Sequence, residues 1–176
     1  MLLVAACVTP GERPSITQSP DAPYVPTPPA VVSAMLRGVN VGPDDVVYDL
    51  GSGDGRIVIA AVREFAAARG VGIELDVRLI QESRDKAYNA GLAERATFLW
   101  KDIFDVDLSP ATVVTIYLFP EVNARLLPKL MRELRPGTRV VSHEYPIGDW
   151  KPDRSTQVES SLKKHTLRFW TVPAKP

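Results

Sequence analysis

From about residue 24 onward the apolar positions follow two alternating rhythms. Short, mostly apolar or β-branched stretches read as strands: Val46–Leu50, residues 71–74, 97–100 and 113–118, and residues 139–144. Between them apolar residues recur every three or four positions. Val58, Val62 and Phe65 do so within residues 56–68, Leu79, Ile80 and Ala87, with Ser83 also inward, within 76–90, and Leu126, Leu127, Leu130 and Leu134 within 121–134. That spacing predicts helices with one packed face. Pro28 and Pro29 suit the first turn of a further helix running to about Arg37, ended by Gly38 and Gly42-Pro43. Gly91 caps the third helix, Arg135-Pro136-Gly137 stops the last, and Pro128 is expected to kink that helix or restart it. Alternation over residues 167–172, with a weaker strand near 156–160, predicts a terminal hairpin. Strands alternating with helices mean an α/β protein: a mostly parallel sheet with helices on both faces.

Ligands of such sheets bind beyond the carboxyl ends of the strands. Asp49, the turn carrying Gly51, Gly53 and Gly55, then Glu74, Asp102 and Phe119 all fall at such ends. A strand, a glycine turn, a helix and an acidic-ended strand form a nucleotide-binding half. In the dinucleotide pattern G-x-G-x-x-G, the third glycine would occupy position 56, which is Arg56; Gly55 comes one place early. Asp49 beside the turn would also repel a pyrophosphate, whereas it pairs naturally with the ammonium of a methionine moiety. Glu74 suits two ribose hydroxyls. The ligand expected is therefore S-adenosyl-L-methionine, released as S-adenosyl-L-homocysteine, rather than NAD.

The 176 residues are 45% hydrophobic, enough for one core, and 21 Lys+Arg balance 21 Asp+Glu. With no positive excess, broad electrostatic binding to nucleic acid is not expected. No stretch approaches the roughly 20 apolar residues of a membrane span. A single Cys7 excludes an internal disulfide and a cysteine zinc cluster. His143 and His165 lie far apart in sequence, so no metal site is expected. His143 reads as a packed strand residue and residues 163–165 as a solvated turn. Residues 1–22 read as a flexible Pro/Ser/Thr-rich tail before a domain spanning 23–176. Val4-Ala5-Ala6-Cys7 is similar to a lipoprotein cleavage box, so the compartment expected is cytoplasmic, or membrane-tethered through Cys7 if the true start lies upstream. A monomer is compatible with this reading, and the oligomeric state stays open.

The motifs Asp49-Leu50-Gly51-Ser52-Gly53-Asp54-Gly55, Gly72-Ile73-Glu74-Leu75-Asp76 and Lys101-Asp102-Ile103 resemble those of class I, S-adenosylmethionine-dependent methyltransferases. The resemblance implies a Rossmann-like seven-stranded sheet ending in an antiparallel hairpin. It implies that Asp49, Gly51, Ser52, Gly53 and Gly55 hold the methionine part. Glu74 would bind ribose, Asp102 the adenine amine, and Leu75 and Ile103 would flank the ring. Tyr24-Val25-Pro26-Thr27-Pro28 and Tyr117-Leu118-Phe119-Pro120 resemble a narrower family, small protein-lysine methyltransferases of archaea, bacteria and mitochondria. By that likeness Tyr24 and Thr27 close over the methionine carboxylate, and the partner is a protein with an accessible lysine. The Asn/Asp-Pro-Pro-Tyr of amide and base methylation is replaced by Leu118-Phe119-Pro120-Glu121. Tyr117, Glu121, Glu144 and Tyr145, at the ends of the fourth and fifth strands, are the candidates for orienting the amine or taking its proton through water. A small molecule or RNA as acceptor, or a non-catalytic S-adenosylmethionine-binding module, remain as alternatives on the same fold.

Overall fold

The computed structural model describes residues 24–160 and 163–174; the expectations for the tail, Cys7 and the start of the domain lie outside them. The elements run α1 (Pro29–Gly38), β1 (Val46–Leu50), α2 (Arg56–Arg63), β2 (Arg69–Glu74), α3 (Val77–Asn89), β3 (Ala96–Trp100), β4 (Val113–Ile116), α4 (Pro120–Glu133), β5 (Arg139–His143), β6 (Arg154–Glu159) and β7 (Lys164–Thr171). The seven strands form one sheet in the order β3-β2-β1-β4-β5-β7-β6. β1 to β5 are parallel, and β7 pairs antiparallel with β5 and β6. This is the Rossmann-like arrangement expected, and the chain order reverses between β1 and β4.

Alternation along the strands decides which layer each side chain enters. Tyr48, Leu50, Val71, Ile73, Val114 and Ile116 face α4, through Leu126, Leu130 and Leu134, and the connections carrying Ile103, Leu108 and Ile147. Val47, Val113 and Val141 face the opposite way, against Val31, Met35 and Leu36 of α1 and Ile57 and Ala61 of α2. Phe98 joins α2 and α3 through Val58, Val62 and Ile80. Each fully buried aliphatic side chain contributes roughly 1.5–3 kcal/mol.

The element boundaries differ from the sequence reading in four instructive places. α2 stops at Arg63 instead of continuing to residue 68: Ala66 adopts a left-handed φ of 58°, and the Ala67 N–H closes back on the Ala61 carbonyl at 2.9 Å. α4 passes through Pro128 as one element; Pro128 and Ala124, whose carbonyl loses its partner there, are both on the exposed face. β5 ends at His143 because Glu144 turns to a φ of 64°. His165 is not in a solvated turn but on β7, 2% exposed.

Candidate active site

At the switch point a cleft of about 290 Å³ opens over the carboxyl ends of β1, β2, β3 and β4. Its floor is the turn after β1. The Gly51 and Ser52 N–H groups both donate to the Ile73 carbonyl at 2.9 Å, stitching the turn onto β2. Gly53 has a φ of 53°, and a Cβ there would sit 2.5 Å from the Tyr24 ring, so only glycine permits the turn and the close approach together. Glu74 is held from three sides. One carboxylate oxygen accepts the Gly53 N–H at 2.9 Å; the other accepts those of Leu75 and Asp76 at 2.8 and 2.9 Å. Its position is therefore fixed before any ligand arrives.

Asp49 is 2% exposed and faces the cleft, with one oxygen taking a 2.6 Å hydrogen bond from the Thr115 hydroxyl. Burial pushes its pKa up to about 7, aided by the nearby Glu74 and Asp54 carboxylates and opposed by the Thr115 bond. Among the described residues no cation stands beside it, and a buried carboxylate so placed calls for one from a ligand. Asp54 is the opposite case. Burial alone would raise its pKa, but Arg56 and Lys86, with contacts of 2.9 and 2.6 Å, hold it well below the ordinary range. Arg56 then reaches the N-terminal strap, donating to the Thr27 carbonyl at 3.0 Å and to the Tyr24 hydroxyl at 3.4 Å.

Beyond β4 the Tyr117 ring lies on His143, centroids 3.9 Å apart, and stacks toward Tyr145 at 6.3 Å. His143 is fully buried, and burial lowers its pKa to about 4, so its imidazole is neutral at neutral pH. Its Nδ1 meets the Thr27 hydroxyl at 3.2 Å and its Nε2 meets His165 Nδ1 at 2.9 Å. The sequence separation of the two histidines is thus removed by the fold. His143 pairs with Leu167 across the antiparallel β5–β7 ladder, which brings His165 diagonally onto the same face.

Of the residues singled out for the cofactor, Tyr24, Thr27, Asp49, Gly51, Ser52, Gly53, Glu74, Leu75, Asp102 and Ile103 line the cleft. Gly55 and Phe119 do not. A Cβ on Gly55 would strike Phe98 and Ser83, so this glycine permits α2 and α3 to pack rather than a ligand to approach. Phe119, at the cap of α4, points to Tyr145, with ring centroids 6.2 Å apart, and Leu118 supplies the wall instead. Among the four acid–base candidates only Tyr117 lines the cleft. Glu121 is exposed in the first turn of α4, where the helix dipole favours it. Glu144 turns to His165, Oε1 to Nδ1 3.2 Å, and Tyr145 lies behind Tyr117. The sequence reading missed Arg56 and Asp54, which also line the cleft; a charged pair flanking Gly55 was the available signal.

The cleft fits S-adenosylmethionine on its own terms. It offers, among the described residues, a buried carboxylate with no cation beside it for the ammonium, and a second carboxylate, Glu74, already fixed at the end of β2. Residues 49–154 match the family model of the ANTKMT methyltransferase domain. A protein-lysine N-methyltransferase of Saccharolobus islandicus (strain REY15A) is 45% identical over 153 residues, 87% of this chain and 95% of the relative. The adenine nucleotide translocase lysine N-methyltransferase of Mus musculus is 37% identical over 130 residues, 74% of this chain but only 56% of that relative. The crystal structure of an RNA methyltransferase from Salinibacter ruber, in complex with S-adenosyl-L-homocysteine, superposes with a TM-score of 0.80 at 49% identity, covering 86% of this chain and 96% of that one. On this fold, cleft and match, the chain belongs to the ANTKMT methyltransferase domain family and is an S-adenosylmethionine-dependent methyltransferase.

Proposed function

We propose that the protein methylates a lysine side chain of a protein substrate. The observation that carries this is the 45% identity to an archaeal protein-lysine N-methyltransferase over nearly that relative's whole length. The absence of an Asn/Asp-Pro-Pro-Tyr segment after β4 and the zero net charge argue in the same direction. A second reading, methylation of RNA, draws on the 49% identity to the Salinibacter ruber protein.

S-adenosylmethionine supplies, when bound, a methyl group on a positively charged sulfur that needs only an in-line lone pair. The chain's part is then to position and to dry the site. Asp49 would pair with the ligand ammonium, Glu74 would receive the ribose hydroxyls, and Asp102 with Leu75 and Ile103 would hold the adenine. The strap from Tyr24 to Thr27, pinned by Arg56, covers the methionine end and excludes water. Tyr117, backed by His143, forms the wall beside which an acceptor enters. A lysine ammonium has no lone pair and an ordinary pKa near 10.4. Transfer into a dry cleft beside another cation lowers that value, and the proton leaves to solvent before the nitrogen attacks.

The test is radiolabelled methyl transfer to separated protein and RNA fractions, with Asp49→Ala as control. Base-stable label on lysine in protein supports the reading, and label in RNA alone overturns it.

A further inference from the structure

We propose that His143, Glu144 and His165 form a site for one divalent transition metal, zinc above all, at the seam between β5 and β7. Three potential ligand atoms lie close together. His143 Nε2 and His165 Nδ1 are 2.9 Å apart, His165 Nδ1 and Glu144 Oε1 3.2 Å, and His143 Nε2 and Glu144 Oε1 3.8 Å. The point equidistant from the corners of that triangle lies about 2 Å from each, the bond length zinc takes to nitrogen and carboxylate oxygen. This is the one group of three such side chains among the described residues whose ligand atoms converge in this way.

In the absence of an ion the ring nitrogens form a hydrogen-bond chain from Thr27 through His143 and His165 to Ser160. The centre accommodates one N–H, on one histidine or the other, and the 3.8 Å edge is too long for a hydrogen bond. A cation satisfies all three atoms at once. The surroundings match what metal-bound histidines require, since each remote ring nitrogen is already held. His143 Nδ1 meets the Thr27 hydroxyl at 3.2 Å, and His165 Nε2 meets the Ser160 hydroxyl at 2.9 Å. Both rings are buried, so their orientation is fixed by packing. Glu144 carries a left-handed φ of 64°, a conformation that non-glycine residues adopt at a cost and that here aims the carboxylate inward. Its present ion pair, Lys163 at 3.5 Å, comes from an exposed side chain free to swing away. The Glu144 side chain is one-fifth exposed, which gives the ion a way in from solvent.

The experiment uses full-length protein treated with chelator, then titrated with zinc by calorimetry and with cobalt by visible absorption. A Cys7→Ser background removes the one competing thiol. The proposal expects one ion per chain, with cobalt bands in the visible. Binding should fall at least 100-fold in His165→Asn and in Glu144→Gln, and about tenfold in Ser160→Ala, which touches no metal. Ser160→Ala perturbs a partly exposed hydroxyl, so it remains informative if a histidine variant fails to fold. Absence of saturable binding, or binding that all three variants leave unchanged, overturns the proposal and assigns the centre to a proton.

Discussion

Replacing Asp49 by Asn should stabilise the free protein while weakening its hold on S-adenosylhomocysteine. Asn is isosteric and its Oδ1 still accepts the Thr115 hydroxyl, now donated at 2.6 Å to the carboxylate. What changes is the charge. The carboxyl titrates near 3.8 when unfolded and at about 7 when folded, raised first by burial. The sign follows from linkage. A folded pKa above the unfolded one gives stability that is fully present below about pH 3.8 and lost as pH rises through 7. Slightly over three pKa units at about 1.4 kcal/mol each amount to roughly 4 kcal/mol at pH 8, an order-of-magnitude figure, and to about 2 kcal/mol or less at pH 5. Urea unfolding of both proteins between pH 4 and 8 should show the Asn variant gaining on the wild type through that window and levelling above it. Over the same range the wild type should bind S-adenosylhomocysteine more tightly as Asp49 ionises, with a midpoint near 7, and the variant should not. A variant no more stable than wild type at pH 8, or one whose ligand affinity keeps the wild-type pH dependence, would refute the buried-anion argument.

Gly53→Ala should lower S-adenosylhomocysteine affinity at least tenfold by calorimetry, because its Cβ meets the Tyr24 ring at a φ of 53°. Arg56→Lys keeps a cation near Asp54 but loses the fork to the strap, so KM for S-adenosylmethionine should rise several-fold with kcat nearly unchanged. Phe119→Ala should leave ligand affinity within about twofold, since that ring packs on Tyr145 outside the cleft. Glu121→Gln should cost no more than about 1 kcal/mol in urea unfolding and leave turnover near wild type, as expected of a charge at a helix N-terminus.

The strands and the glycine turn were readable because their signals are local. β-branched runs fix the buried strands, and Gly51 and Gly53 announce positive φ by composition alone. The roles of the residues just past β4 were not readable to the same degree. Tyr117 and Phe119 are two residues apart just past a strand, and which one lines the cleft depends on how α4 begins. Gly55 looked like its neighbours in sequence, yet its constraint comes from Phe98 and Ser83, over 25 residues away. The convergence of His143 with His165 depends wholly on the β5–β7 register, a long-range pairing that no window of sequence contains.

Thr27 gives the two ends of the site a common fastening. Its carbonyl takes the Arg56 guanidinium, which rests on Asp54 in the glycine turn; its hydroxyl meets His143 at 3.2 Å, one of the three residues proposed to hold zinc. The residue is 4% exposed, so it has little freedom to shift toward one side without straining its bond to the other. A metal that fixes the His143 ring therefore also fixes the strap over the cofactor cleft. Coupling between binding sites is reciprocal, so zinc must change S-adenosylhomocysteine affinity by the factor by which that ligand changes zinc affinity. A strap ordered in advance lowers the cost of closing it, and the sign expected is tighter binding, about three- to tenfold. Thr27→Val keeps the shape and the carbonyl but removes the hydroxyl, at a stability cost of about 1 kcal/mol. In that variant each ligand should still bind, and the factor should fall to one. Equal S-adenosylhomocysteine affinities with and without zinc in the wild type would show that the strap is held by Arg56 alone.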